Sequence, residues 1–216
     1  MKEIVKTSRL AGQLEKLFRM LNTDFFDGQL EMPVITIQST PRAYGHYSVF
    51  PIWSIKGAEL KHEINIGAGT LDRPIEYTVA TLLHEMCHMY NGTVLQIKDT
   101  SNGGVYHNKR FKETAESHGL EVTRSEKYGW SSTSPSDSLL DWILNNDVQE
   151  IQLNRNESTG IRVGGGNTAA NGGRLPISPT KQSSRRYHCP KCGTIIRATR
   201  TVNVLCGDCI VTMVEG

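Results

Sequence analysis

His84-Glu85-Met86-Cys87-His88 lies inside an apolar stretch, 75–90, and its reading decides the fold. At about 100° per residue, Ile75, Val79, Leu82, Leu83, Met86 and Tyr90 fall on one stripe of a helix, and His84 and His88 point to nearly the opposite side. One face packs and the other is free for a site. The spacing predicts a helix from about Pro74 to Tyr90, opened by a proline suited to a first helical turn. Two imidazoles four residues apart lie on one helical face and can grip one ion. Chance alone gives roughly 0.014 such matches in a chain of this composition, so context must carry the assignment. Cys87 points about 80° away from the two histidines, which predicts a small buried hydrophobe rather than a ligand.

A catalytic zinc takes three protein ligands and keeps one position open. Gly103-Gly104-Val105-Tyr106-His107-Asn108 puts His107 after a glycine-rich turn and just before a predicted helix from Asn108 to Gly119, where a loop can return it to the first pair. His118 is the rival, eleven residues on and beside the terminating glycine. Glu85, next to a ligand, is the candidate general base for a zinc-activated water. Tyr106, Arg110 and His118 are candidates for stabilising an oxyanion.

Leu21-Asn22, Phe26-Asp27-Gly28-Gln29-Leu30, the His84–His88 helix, and His107 followed four residues later by Phe111 resemble the SprT-like zinc metallopeptidases of the SprT/Spartan type, over roughly residues 10 to 130. Loop placement and this resemblance together favour His107 over His118. Members usually carry glycine directly after the third histidine; this chain has Asn108, a residue that tolerates left-handed backbone and caps helices. The resemblance implies a zincin-like fold and peptide hydrolysis, with proteins bound or crosslinked to DNA as substrates.

Away from the motif, Leu10, Leu14, Leu17 and Leu21 with Phe18 predict an amphipathic first helix capped by Ser8. Val34–Ile37, Ala43–Val49 and Glu63–Ile66 read as strands. The last of these is an expected edge for pairing with an extended substrate, or an ordinary internal strand. Leu139, Leu140, Ile143 and Leu144 predict a short helix from Ser136 to Asn145.

From about Gln152 to Ser184 the chain turns to Gly, Asn, Ser and Thr with little to bury, which reads as a flexible linker. Cys189-Pro190-Lys191-Cys192 and Cys206-Gly207-Asp208-Cys209 then form two knuckles suited to one structural zinc, with Gly193 and Gly207 expected in the tight turns. His188 is a spare donor that four thiolates make unnecessary. The expected organisation is an α+β, zincin-like metallopeptidase domain over 1–150, a linker over 151–184 and a zinc ribbon over 185–216, with one catalytic and one structural Zn2+.

Residues 181–216 carry six basic groups against two acidic ones, a local +4 that leaves the first 180 residues at −2. Such asymmetry points to a polyanion meeting the ribbon; the resemblance implies that this partner is DNA. The N-terminus mixes charges into its apolar positions and no later apolar run reaches the roughly 18 residues of a membrane span, so a cytoplasmic protein with no membrane partner is expected. The oligomeric state is not legible. The function expected is a zinc-dependent endopeptidase acting on protein substrates. The alternative is a nucleic-acid-binding or regulatory zinc-ribbon protein with little turnover, against which the presence of Glu85 argues, because a structural zinc needs no general base.

Overall fold

The apolar stripes organise the first half of the chain in the computed structural model, which describes residues 7–40, 43–54, 60–151, 153, 155, 185–198 and 201–215. Helix α1 (Thr7–Phe26) buries Leu10, Leu14, Leu17, Phe18 and Leu21. It begins at Thr7, so Ser8 is its second residue rather than a cap preceding it. It ends where Asp27 and Gly28 take left-handed backbone, φ +53° and +70°. Asn22 locks that exit: its side chain donates to the Leu30 carbonyl (2.9 Å) and accepts from the Leu30 amide (3.1 Å). This is the physical content of Asn22 and the Phe26–Leu30 run, a turn tied to its own helix.

Strand β1 (Val34–Gln38) pairs parallel with β5 (Glu63–Gly67), and β2 (Gly45–Tyr47) pairs antiparallel with the other side of β5. The sheet order is therefore β1-β5-β2. Glu63–Ile66 is central and buried along its whole length, not an edge; the edge that packs on the helix of residues 75–93 is β2. A strand with neighbours on both sides and cover on both faces has no free backbone to offer a substrate. A short hairpin, β3 (Trp53–Ser54) with β4 (Leu60–Lys61), connects the two, and Trp53 donates to Glu63 Oε2 at 2.5 Å.

Helix α2 (Ile75–Thr93) carries the decisive motif and buries Ile75, Val79, Leu82, Leu83 and Met86. Pro74 stands at its N-cap rather than inside the first turn. Cys87 is fully buried among these side chains, as a small hydrophobe would be. Helix α3 (Lys109–Ser117) starts at Asn108, whose side chain accepts from the Arg110 and Phe111 amides (2.8 and 3.4 Å). At φ −91° Asn108 needs no glycine-like freedom; it acts as a cap. Around these helices lies a four-stranded sheet, order β6-β7-β9-β8, from β6 (Thr100–Ser101), β7 (Tyr106–His107), β8 (Leu120–Ser125) and β9 (Gly129–Pro135). Helix α4 (Asp137–Asn145), capped by Ser136, closes the unit, and its Trp142 donates to Asp24 at 2.7 Å.

The chain divides into two units, Met1–Gly160 and Ile161–Gly216. Of the stretch read as a linker, Ile151 and Leu153 pack on the core of the first unit and the Arg155 amide donates to the Ala68 carbonyl at 2.9 Å. The rest of that stretch, 152, 154 and 156–184, lies outside the described residues. In the second unit β10 (Arg185–His188) pairs antiparallel with β11 (Ile195–Ala198) and β14 (Val214–Glu215), and β12 (Leu205–Cys206) forms a hairpin with β13 (Val211–Thr212). Its core is small: Tyr187, Cys189, Cys206 and Met213, with Ile196, Val202, Val204 and Val211 against them. Among the described residues four α-helices and small sheets make a mixed α and β protein, and no helix there is long and apolar enough to cross a membrane.

Candidate metal centres

His84 and His88 leave α2 one turn apart, and β7 brings His107 to them. Their Nε2 atoms lie 3.2 Å (84 to 107), 3.2 Å (88 to 84) and 3.0 Å (88 to 107) from one another. Phe111, fully buried, sits under all three rings, with centroid separations of 4.5, 4.4 and 4.7 Å to His84, His88 and His107. The four-residue spacing from His107 to Phe111 thus places one apolar floor beneath the cluster. His118 goes elsewhere: it ends α3, meets the Thr114 carbonyl through Nδ1 at 2.7 Å and stacks on Phe26.

The outer ring nitrogens decide what the inner ones offer. His88 Nδ1 meets Asp99 Oδ2 at 2.7 Å, and a carboxylate there can only accept, so Nδ1 carries a proton and Nε2 is the nitrogen left to face the other two rings. Asp99 is held in turn by Asn91 Nδ2 (2.9 Å), and Asn91 by the Thr114 hydroxyl (2.7 Å). His84 Nδ1 meets Thr133 Oγ1 on β9 at 3.0 Å. His107 Nδ1 is buried without a well-formed hydrogen bond among the described residues, although the Val105 backbone lies close enough to favour its protonated form. Burial, then the neighbouring imidazoles, holds His84 well below the usual imidazole range. Burial, then His88, brings His107 down to about 4. Neutral imidazoles are the form that binds metal.

These residues fit a zinc ion. Tetrahedral zinc with nitrogen at about 2.0–2.1 Å spaces its ligands about 3.3 Å apart, within a few tenths of the separations here. Three lone pairs converging at 3.0–3.2 Å without a cation or shared proton would repel one another. Asp99 and Thr133 are the outer partners such a site needs to fix ring orientation. Sequence reasoning missed both. Asp99 lies on the loop after α2, beyond Gln96 in left-handed backbone (φ +53°), and Thr133 on a Ser/Thr-rich strand with no apolar alternation to announce it.

Glu85 is only 6% exposed, and burial pushes its carboxyl up to about 7, against the pull of His88 and the Tyr47 backbone N–H. It faces the edge strand: a methyl group added at Gly45 would stand 3.1 Å from Glu85 Oε1, 3.1 Å from Thr81 Cγ2 and 2.8 Å from the Asn65 carbonyl. A second glycine guards His107. Gly129, at φ +66°, pairs with His107 across β7 and β9, and a methyl there would overlap the His107 carbonyl oxygen and press on the Tyr106 ring. Gly129→Ala is expected to cost about 2–3 kcal/mol in urea unfolding and to weaken metal retention by the first unit, because both backbone strain and overlap fall on the strand that carries His107.

The match to known families covers this region. A family model described as the SprT-like family matches residues 14–127. The chain belongs to the SprT-like family. Comparison with curated proteins and with solved structures finds no match. The SprT-like match takes in all three histidines and Glu85 and stops well before the four cysteines of the second cluster, 189 to 209.

In this SprT-like chain the four cysteines form a second cluster, all Sγ atoms within 4.8 Å of one another. None is in a disulfide; Cys192 Sγ and Cys206 Sγ are 3.6 Å apart, close to the roughly 3.8 Å of tetrahedral thiolates around zinc. The two knuckles turn alike. After Cys192, Gly193 (φ +74°) returns its amide to the Cys189 carbonyl at 2.9 Å; after Cys209, Ile210 (φ +53°) returns its amide to the Cys206 carbonyl at 2.8 Å. Gly207 lies in the second turn as expected, with the Asp208 and Cys209 amides turned to the Cys206 sulfur, but the left-handed position falls on Ile210, which no composition rule would choose. Thr194 Oγ1, 3.1 Å from Cys192 Sγ, draws that thiol down to about 6.

Proposed function

We propose that the chain is a zinc-dependent endopeptidase with a zincin-like arrangement, holding its catalytic ion through His84, His88 and His107 and a structural ion through Cys189, Cys192, Cys206 and Cys209. The observation that carries this reading is the convergence of three imidazole nitrogens at 3.0–3.2 Å on the helix that also bears the buried carboxyl of Glu85. When bound, the ion supplies Lewis acidity that activates a solvent nucleophile and polarises a peptide carbonyl. Glu85 accepts the nucleophile's proton and returns it to the leaving amine as the C–N bond breaks and a C–O bond forms. Asp99 and Thr133 hold His88 and His84 in one tautomer and one orientation, and Phe111 keeps the underside dry.

A substrate would be held as an added strand. Strand β2 is the sheet edge that lies against Glu85, so an extended chain paired there brings its backbone to the ion. DNA-associated or DNA-crosslinked proteins are the proposed substrate class, localised through the basic ribbon of a cytoplasmic enzyme. Arg185 is engaged by Glu215 at 2.7 Å, so Arg186 and Lys191 are the exposed cations of the described ribbon that best suit phosphate contacts.

The test is cleavage of casein and of a DNA-bound basic protein, each with and without DNA. Loss of cleavage with a zinc chelator, recovery with zinc, and a DNA stimulation that fades with salt are the expected results. Zinc-loaded protein that cuts neither substrate would end the peptidase reading.

A further inference from the structure

Arg73, immediately before the N-cap of α2, is a half-buried cation held on three sides. Its Nε donates to the Thr70 carbonyl at 2.8 Å, one terminal nitrogen donates to Thr81 Oγ1 at 3.0 Å, and the guanidinium lies 4.0 Å over the Tyr44 ring. These contacts take up two of its five N–H donors. Among the described residues no carboxylate comes within ion-pair distance of it; the neighbouring Asp72 acts only through space. Ordering a long charged side chain and partly desolvating it are both unfavourable, and such guanidinia are ordinarily completed by a carboxylate with matching fork geometry. Here the fork is oriented with no such carboxylate beside it.

Its position gives the oriented fork a use. Thr81, which anchors Arg73, and Glu85 flank the same point on the edge strand: each lies 3.1 Å from where a side chain on Gly45 would begin. Thr81 and Glu85 are one turn apart on α2, a rise of about 6 Å, or about two residues of extended chain. Tyr44, the ring that braces the guanidinium, directly precedes β2 and is 58% exposed. A peptide lying antiparallel to β2 places the residues on the C-terminal side of its reacting bond toward Tyr44 and Arg73.

We propose that Arg73, braced by Tyr44, is a carboxylate-reading subsite that selects polypeptides with an acidic side chain, or a free chain end, about one to three residues on the C-terminal side of the bond to be cut. This rests on the peptidase reading for its purpose but not for its measurement. Binding of a short fluorescent peptide to the zinc-loaded full chain is followed by anisotropy for four forms: a single Asp in that region, its Asn counterpart, and an uncharged sequence with a free or an amidated C-terminus. The wild-type chain is expected to bind the Asp form, the free-ended form or both about tenfold more tightly than the neutral counterpart. Arg73→Gln is expected to bring that ratio to about one, with Arg73→Lys between them because it keeps the charge without the fork. The pair that shows the preference tells side chain from chain end. Because the ratio is taken within one preparation, partial unfolding of a variant does not alter it. Equal affinity for charged and neutral forms in the wild type, or a preference that survives Arg73→Gln, overturns the subsite. A preference without any cleavage overturns the activity alone and leaves the subsite standing.

Discussion

Glu85→Gln is expected to keep its full complement of zinc and to lose about 10³-fold in peptide cleavage, the scale of a lost general acid–base group. The substitution preserves shape, and it removes from a buried position a carboxyl that burial already pushes up to about 7. Folding is therefore not impaired: an ionised group that is costly to desolvate becomes a neutral one. Nor is metal retention at risk from lost ligands, because the cluster is built from His84, His88 and His107, and the outer contacts of His84 and His88 run to Thr133 and Asp99 rather than to Glu85. Cleavage and metal content thus separate cleanly. Metal analysis beside a casein assay checks both, and equal turnover by the two proteins would remove Glu85 from the chemistry.

The second large effect is on metal content itself. The full chain is expected to hold two zinc ions, His107→Ala one, Cys206→Ser one, and the double variant none. The two ligand sets share no residue, so the losses are independent. Their consequences for folding differ. The second unit has a core of Tyr187, Cys189, Cys206 and Met213, two of them cysteines of the cluster, and so few buried side chains cannot offset the entropy of ordering it. Zinc binding of about 10–16 kcal/mol is the scale that stabilises modules of this kind, and Cys206→Ser is expected to unfold it, seen as collapse of amide dispersion in NMR. The first unit has a core of two dozen buried apolar residues running from Leu10 to Ile143, and His107→Ala is expected to leave it folded. One zinc in the wild-type chain would remove one of the two centres.

Legibility in the sequence differs from element to element. The helices α1, α2, α3 and α4 fall close to their predicted spans because each bears an apolar stripe or a capping residue, and those act over a few neighbours. The strands over Leu120–Ser125 and Gly129–Pro135 carry no such signal. Beyond Leu120 and Val122 their residues are mainly Glu, Thr, Ser and Arg, too short an alternation to announce them, and they are fixed by pairing with each other and by His107 lying opposite Gly129. Glu63–Ile66 reads as a strand from its own residues, but its central place depends on β1 and β2 arriving from either side, which no local pattern records.

What the sequence by itself determined was the pair His84 and His88 on one helical face, with Glu85 between them and four cysteines in two knuckles, since each of these is a matter of spacing along a few residues. Only the tertiary structure decided that His107 rather than His118 completes the imidazole cluster, that Asp99 and Thr133 orient it, and that Ile210 takes the left-handed position of the second knuckle. The reason is range. A helix face is set by rotation per residue, whereas the meeting of α2, β7 and β9 is set by how the surrounding side chains pack, with Phe111 beneath all three rings.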